Sequence, residues 1–298
     1  MTGWCCDGLR WSAGGAGLVW RHPGHGERVS PLSPGRPVAF RTGARRGCTG
    51  VRRGARHTPC PTDAEVPAAA VAARCPECAR LDRSYSVAAD TRADDPRPYD
   101  VYLAWFAPGL IKVGITATER EGARLREQGA LSFTLLGRGP LMAARRAEAV
   151  LGTALGVPDR FPYAARRAAR HAPPGPSERA AELLALHARA CALRTLPESL
   201  TPLPAEPVHH DAVFGLDRLR EAAPAAGVLR LAPGRTVAGT VVAVAGPDVY
   251  LAGAGGRTVL LDVRQLPGWP LSAADPTAAT TAEVVPPPTA EPETAALF

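Results

Sequence analysis

Residues 99–130 read YDVYLAWFAPGLIKVGITATEREGARLREQGA, and the fold turns on them. Val101–Phe106 is a compact apolar and aromatic run of strand length. Pro108-Gly109 supplies turn chemistry, and Leu110–Ile115 is a second extended run, so the pair reads as a β-hairpin. Thr118–Gln128 reads as a helix, with Thr118 as its N-cap and Gly129 just past its end. Leu131–Leu136 reads as a third strand. Leu141–Leu155 reads as a helix with apolar positions at Leu141, Ala144, Leu151 and Leu155, and Ser177–Leu193 as another, N-capped by Ser177. The fold class expected is α+β: a small sheet with flanking helices.

Outside this block the chain turns to short strands. Leu18–Arg21 and Pro37–Thr42 precede it; Val228–Leu231, Thr236–Val244, Val249–Leu251 and Thr258–Val263 follow it, divided by Gly/Pro turns. The organisation expected is a disordered end at 1–16, a β segment at 17–46, a cysteine element at 47–83, a linker at 84–98, a central module at 99–200 and a small β domain at 201–270. The two β segments are expected to pair, with the module inserted between them. Residues 271–298, rich in Pro, Thr and Ala without periodicity, read as a disordered tail.

The chain has 298 residues, 46% hydrophobic and 21% charged, enough to build a core. Its net charge of +7 favours an anionic partner, nucleic acid first. There is no apolar run long enough to span a bilayer and no basic start followed by an apolar block, so a cytoplasmic protein without a membrane segment is expected. All but one of the 35 basic residues are arginine, the bias of a GC-rich, actinomycete-type coding sequence; the single lysine is Lys112.

Seven cysteines occur, an odd number without an export signal, which argues against a disulfide framework. Four of them, Cys48, Cys60, Cys75 and Cys78, fall within 31 residues, and the first three sit directly beside Gly or Pro. Zinc takes four soft ligands in a tetrahedron, and Cys75-x2-Cys78 supplies two from one tight turn. A structural zinc site is therefore expected on these four. Free thiols, a redox pair at Cys75 and Cys78, or His57 in place of one ligand are the other readings. Cys5, Cys6 and Cys191 look incidental.

The central block resembles the GIY-YIG nuclease superfamily, in which a tyrosine strand precedes a second strand ending in Gly, an Arg on the next helix and a Glu on a later one. Tyr102, Lys112-Val113-Gly114, Arg124 and Glu148 stand at those places; Asp100-Val101-Tyr102 replaces the usual first tripeptide, and Lys112 replaces the second tyrosine. Over about residues 17–268 the chain more closely resembles an uncharacterised bacterial family that joins a four-cysteine element to such a module. Its VYLA, KVGIT and EQGA hallmarks stand here as Val101–Ala104, Lys112–Thr116 and Glu127–Ala130.

The resemblance implies a metal-dependent phosphodiesterase acting on DNA or RNA, and the residue types suit that chemistry. Glu148 lies on the apolar stripe of its helix and would hold magnesium, or pair with Arg145 or Arg146 at the helix edge. Arg124 would grip two phosphate oxygens. Tyr102 would take the proton of the attacking water, with Lys112 and Arg124 lowering its pKa. Gly114 would leave room for the substrate backbone. Arg145, Arg146, Arg160, Arg166, Arg167 and Arg170 form a basic group suited to phosphates. The other functions compatible with these residues are a non-catalytic DNA- or RNA-binding protein and a zinc-stabilised interaction protein.

Overall fold

The structure, a computed structural model, describes residues 4–22, 24–53, 56–83, 95–157, 161, 163–193 and 196–286. Arg160, the 84–94 part of the expected linker and the 287–298 part of the expected tail lie outside the described residues. Strands β1 (Cys5–Ser12), β2 (Gly15–His22) and β3 (Gly26–Pro31) form an antiparallel meander. The sequence predicts a disordered 1–16; β1 corrects this. Gly8 sits at a bulge in the left-handed region and hides the alternation of the strand. Trp11 anchors β1: it is buried against Phe214, and its indole N–H donates to the Gly246 carbonyl at 3.0 Å. A contact 235 residues distant leaves no local trace in composition.

Strand β4 (Pro37–Thr42) leads into the cysteine element, which contains β5 (Val51–Arg53), β6 (Arg56–Thr58) and α1 (Pro76–Arg83). Buried Arg46 fastens this element: its guanidinium donates to the carbonyls of Ala68, Ala70 and Pro267.

The central block follows. Strands β7 (Pro98–Ala107) and β8 (Leu110–Ala117) form the hairpin read from the sequence, and β9 (Ser132–Pro140) lies on the other side of β7. β7 is thus central and buried on both faces, which is why it reads as an unbroken apolar run. Val101, Leu103 and Trp105 face the main core; Tyr102, Ala104 and Phe106 face a second cluster with Leu125, Ala130 and Phe133. The single helix expected at 118–128 is broken: a 3-10 turn at Thr118–Arg120 precedes α2 (Ala123–Gln128), because Glu121 and Gly122 both adopt left-handed backbone. Thr118 does not cap α2. Gly129 ends it in the left-handed conformation, as its position in the sequence suggests. Helices α3 (Leu141–Leu155) and α5 (Pro176–Ala192) pack on the main-core side of the sheet, while α2 and α4 (Tyr163–Ala169) cover the Tyr102 side. Pro176, not Ser177, opens α5, with Glu178 accepting from the Gly175 N–H. Two-residue strands β10 (Thr201–Pro202) and β11 (Val208–His209) pair antiparallel with β9 along its outer edge, and short helices α6 (Asp211–Phe214) and α7 (Leu216–Glu221) follow.

The last sheet contains β12 (Val228–Arg230), β13 (Thr236–Ala245), β14 (Asp248–Ala252), β15 (Thr258–Asp262), β16 (Leu271–Ala273) and β17 (Glu283–Val285), ordered β16-β4-β13-β14-β15-β12-β17. β4 runs antiparallel to β13, with Phe40 opposite Val237. The sequence predicts a disordered 271–298; residues 271–286 instead bind the sheet. β16 adds to β4, β17 adds to β12, and Thr280 and Thr281 accept hydrogen bonds from the backbone of β13. Three-residue strands are too short to show a period, so nothing in the tail's sequence announces them. The fold is mixed α+β, and no helix among the described residues is long and apolar enough to cross a membrane.

Candidate functional site

Two groupings of chemical side chains stand out. In the first, the Sγ atoms of Cys48, Cys60, Cys75 and Cys78 all lie within 4.8 Å of one another. Cys48 precedes the β5–β6 hairpin and Cys60 follows it; Cys75 immediately precedes α1 and Cys78 lies in its first turn. A zinc–sulfur bond of about 2.3 Å gives a tetrahedron with sulfur–sulfur edges of about 3.8 Å. Cys60 and Cys75 are 3.9 Å apart. The backbone N–H groups of Gly50 and Cys75 donate to the Cys48 sulfur at 3.4 and 3.2 Å, as suits a thiolate. The Thr62 hydroxyl, with backbone N–H groups, holds the Cys60 thiol down at about 6, whereas burial and the neighbouring thiols push Cys78 up. Four sulfurs this close favour a shared cation. The four cysteines are positioned to hold a metal ion, and the set fits structural zinc. His57 is not in the set; its Nε2 meets the Thr49 carbonyl at 2.8 Å.

The second grouping surrounds Tyr102. The hairpin register sets Tyr102 opposite Gly114 and Ala104 opposite Lys112, so Tyr102 and Lys112 share a sheet face. Tyr102 is 1% exposed, and its phenol oxygen accepts a hydrogen bond from Gln128 Nε2 at 2.9 Å. Burial pushes the phenol's pKa up; the Gln128 bond and the charges of Arg124 and Arg166 oppose that push, and Glu148 adds to it. Arg124, Glu148 and Arg166 therefore all act electrostatically on Tyr102. The expected lowering of the Tyr102 pKa is corrected: Arg124 does pull downward, but desolvation of the phenolate outweighs it. The expected room over Gly114 is also corrected. A Cβ there would lie 2.4 Å from the Tyr102 hydroxyl, so the phenol itself fills the space.

Arg124 is half exposed on α2 and lies 3.8 Å from Glu127. Glu148 is half-buried on α3 beside Ala144, Ala147 and Leu151. Arg145 and Arg146 lie on the same helix and line a shallow recess with Met142, Pro197 and Ser199, away from Tyr102's sheet face. Arg166 reaches the Tyr102 side: its guanidinium sits 4.5 Å from the Phe106 ring, and its buried Nε has no hydrogen-bond partner among the described residues.

Arg167 does something other than face a phosphate. It forks onto Asp248 at 2.7 and 3.0 Å and reaches Asp262 at 2.7 Å. Arg170, fully buried, pairs with Asp248, and Arg264 pairs with Asp262 at 2.6 Å. Burial pushes the Asp262 carboxyl up, yet Arg264 and Arg167 together hold it below the usual range. This network ties α4 to β14 and β15. Gly129 completes the seam: a Cβ there would strike the Arg170 guanidinium at 2.3 Å, and its Cα lies next to Gly246. Sequence reasoning missed Asp248, Asp262 and Gln128. The only local signal was Gln128 inside the EQGA run; the two aspartates lie about 80 and 95 residues from Arg167 along the chain.

No curated protein and no solved structure matches the chain. One family description, "Protein of unknown function (DUF2797)", matches residues 35–271, which take in β4, the four-cysteine centre, the whole Tyr102 face and the sheet that receives α4. On that match, which spans well over half its length, the chain belongs to the DUF2797 family of proteins of unknown function.

Proposed function

We propose that this protein binds nucleic acid and hydrolyses phosphodiester bonds at the Tyr102 face, with a GIY-YIG-like module braced by a structural zinc centre. The observation that carries the reading is that one buried tyrosine feels the charges of Arg124 and Arg166 on its own side of the sheet and of Glu148 on α3, with Lys112 on the same sheet face as the phenol. The strand order β8-β7-β9, with the tyrosine strand central, supports the same module. Arg124, half exposed, is free in geometry to fork onto phosphate oxygens. Glu148 would hold a magnesium ion, which supplies charge neutralisation for the phosphate. Gln128 donates to the Tyr102 oxygen, so the phenol's own proton remains available to a phosphate oxygen. Before Tyr102 can take a proton from water it must lose its own, a step that burial opposes and approaching cations favour.

That opposition supports a second reading: a non-catalytic DNA- or RNA-binding protein that keeps the module's fold. Its specific support is the packing of the Tyr102 phenol over Gly114 and its raised pKa. One experiment separates the two. Purified protein with magnesium is offered single- and double-stranded DNA and RNA. Cleavage that Glu148→Ala reduces at least about 100-fold supports the first reading. Cleavage unchanged in Glu148→Ala rejects Glu148 as the metal ligand. Salt-dependent binding without cleavage selects the second reading, and absence of binding overturns both, leaving a zinc-stabilised interaction protein.

A further inference from the structure

The meander β1–β3 lies wholly outside the family-matched residues and plays no part in the Tyr102 face. At its β2–β3 turn end five side chains gather. Trp4 packs against His22 with ring centroids 5.4 Å apart and stacks on His25 at 6.4 Å and 20°; His22 and His25 are 4.4 Å apart. The Arg28 guanidinium lies 4.4 Å from the Trp4 ring and 5.7 Å from the Trp20 ring. The β2–β3 register sets Trp20 opposite Arg28, so both stand on one face, and the Trp20 indole is fixed by donation to Ser30 Oγ at 3.0 Å. His25 and Arg28 are exposed, and Trp4, Trp20 and His22 are half-buried.

The charges around this patch are sorted by face. Glu27 is held by Arg10 and Arg21, and Asp7 by Arg21 and Arg52. Arg21 pairs in register with Glu27, one residue out of step with Trp20 and Arg28, so these acids serve the opposite face. Among the described residues no carboxylate is paired with Arg28. What remains on the patch face is a set of flat rings around an unneutralised guanidinium. Planar rings beside a cation match the two repeating features of a single strand of nucleic acid, an exposed base and a phosphate. A duplex, whose bases are stacked on each other, cannot offer the first of these.

We propose that Trp4, His22, His25, Trp20 and Arg28 form a stacking platform for single-stranded nucleic acid, separate from the Tyr102 face and independent of whether that face is catalytic. A base lies on the Trp4–His25 surface, and its phosphate meets Arg28.

The test is fluorescence anisotropy with labelled oligothymidylate and oligouridylate of about 15 nucleotides, and a duplex of equal length. It is run on the full chain without magnesium, so cleavage plays no part and failure here leaves the Tyr102 reading untouched. Expected results are preference for both single strands over the duplex and quenching of tryptophan fluorescence on binding. Trp4→Ala should weaken single-strand binding by about 5- to 100-fold. Arg28→Ala should weaken it too and reduce the slope of log affinity against log salt by about one. His25→Ala, at an exposed position that bears no core packing, should weaken it while leaving the far-UV spectrum unchanged, which guards against misreading an unfolded Trp4 variant. Affinities of Arg28→Ala and His25→Ala within about two-fold of wild type, or a preference for duplex, overturn the proposal.

Discussion

Replacing Asp248 by asparagine tests what the arginines of α4 are for. Asp248 is completely buried and accepts from both Arg167 and Arg170; Arg170 is itself completely buried, and Arg167 is 13% exposed. Asparagine keeps the shape and one acceptor oxygen but removes the charge. Arg167 would keep Asp262 at 2.7 Å, whereas Arg170 would be left with the phenols of Tyr163, at 3.4 Å, and Tyr250, and no carboxylate. Removing one partner of a buried ion pair costs about 3–5 kcal/mol, because the other charge stays desolvated. At about 1.4 kcal/mol per tenfold, the folding constant falls by roughly two to three and a half orders of magnitude. With a urea slope near 3 kcal/mol/M, the midpoint should drop by about 1–1.7 M. Urea titration followed by far-UV circular dichroism reads this directly. Glu283→Gln is the control: its partner is Arg230, both side chains are more than half exposed, and the expected change is within about 1 kcal/mol. An Asp248→Asn protein that unfolds at the wild-type midpoint and binds oligonucleotide more tightly would refute the reasoning. The arginines would then be phosphate ligands that Asp248 merely restrains.

Metal analysis should return about one zinc per chain, and Cys78→Ser, which replaces a buried sulfur of the set, should abolish it; zinc-free wild-type protein that is folded throughout sinks the four-cysteine centre. His210 should make stability fall in mildly acidic solution. Burial holds its pKa down at about 4, against an ordinary value near 6.5, while its Nδ1 meets the Ala130 carbonyl at 2.7 Å between the rings of Phe133 and Phe214. A depressed histidine pKa means that the unfolded chain binds the proton more readily. The contribution is therefore complete above about pH 6.5 and is lost as pH falls toward 4, by roughly 3 kcal/mol in all. Urea midpoints measured between pH 7 and pH 4 should decline in wild type, and His210→Gln should flatten the decline; an equal slope in both proteins removes His210 as its source.

Much of the central block was legible because its signals are local. A compact apolar and aromatic run marked β7 as a strand, and Pro108-Gly109 marked the hairpin turn. The four cysteines were legible for a related reason: zinc chemistry prescribes residue type and close spacing, so the motif is nearly all of the site. Other features were not. Thr118–Gln128 has the composition of one helix, yet Glu121 and Gly122 turn left-handed and split it. The strands at Cys5–Ser12, Leu271–Ala273 and Glu283–Val285 exist because sheet edges and the Gly246 carbonyl are there to receive them.

The side chains around Tyr102 show where the division falls. Sequence by itself determined which groups are available: a phenol and an amine on adjacent strands, an arginine on the next helix, a carboxylate on the one after. Tertiary structure alone decided their state. Packing over Gly114 desolvates the phenol and raises its pKa, and distant aspartates on β14 and β15 claim Arg167 and Arg170 while Arg166 stays at the Tyr102 face. Residue type travels with the sequence, but burial and ion pairing depend on what the rest of the chain brings within a few ångströms, and that distance has no counterpart in spacing along the chain.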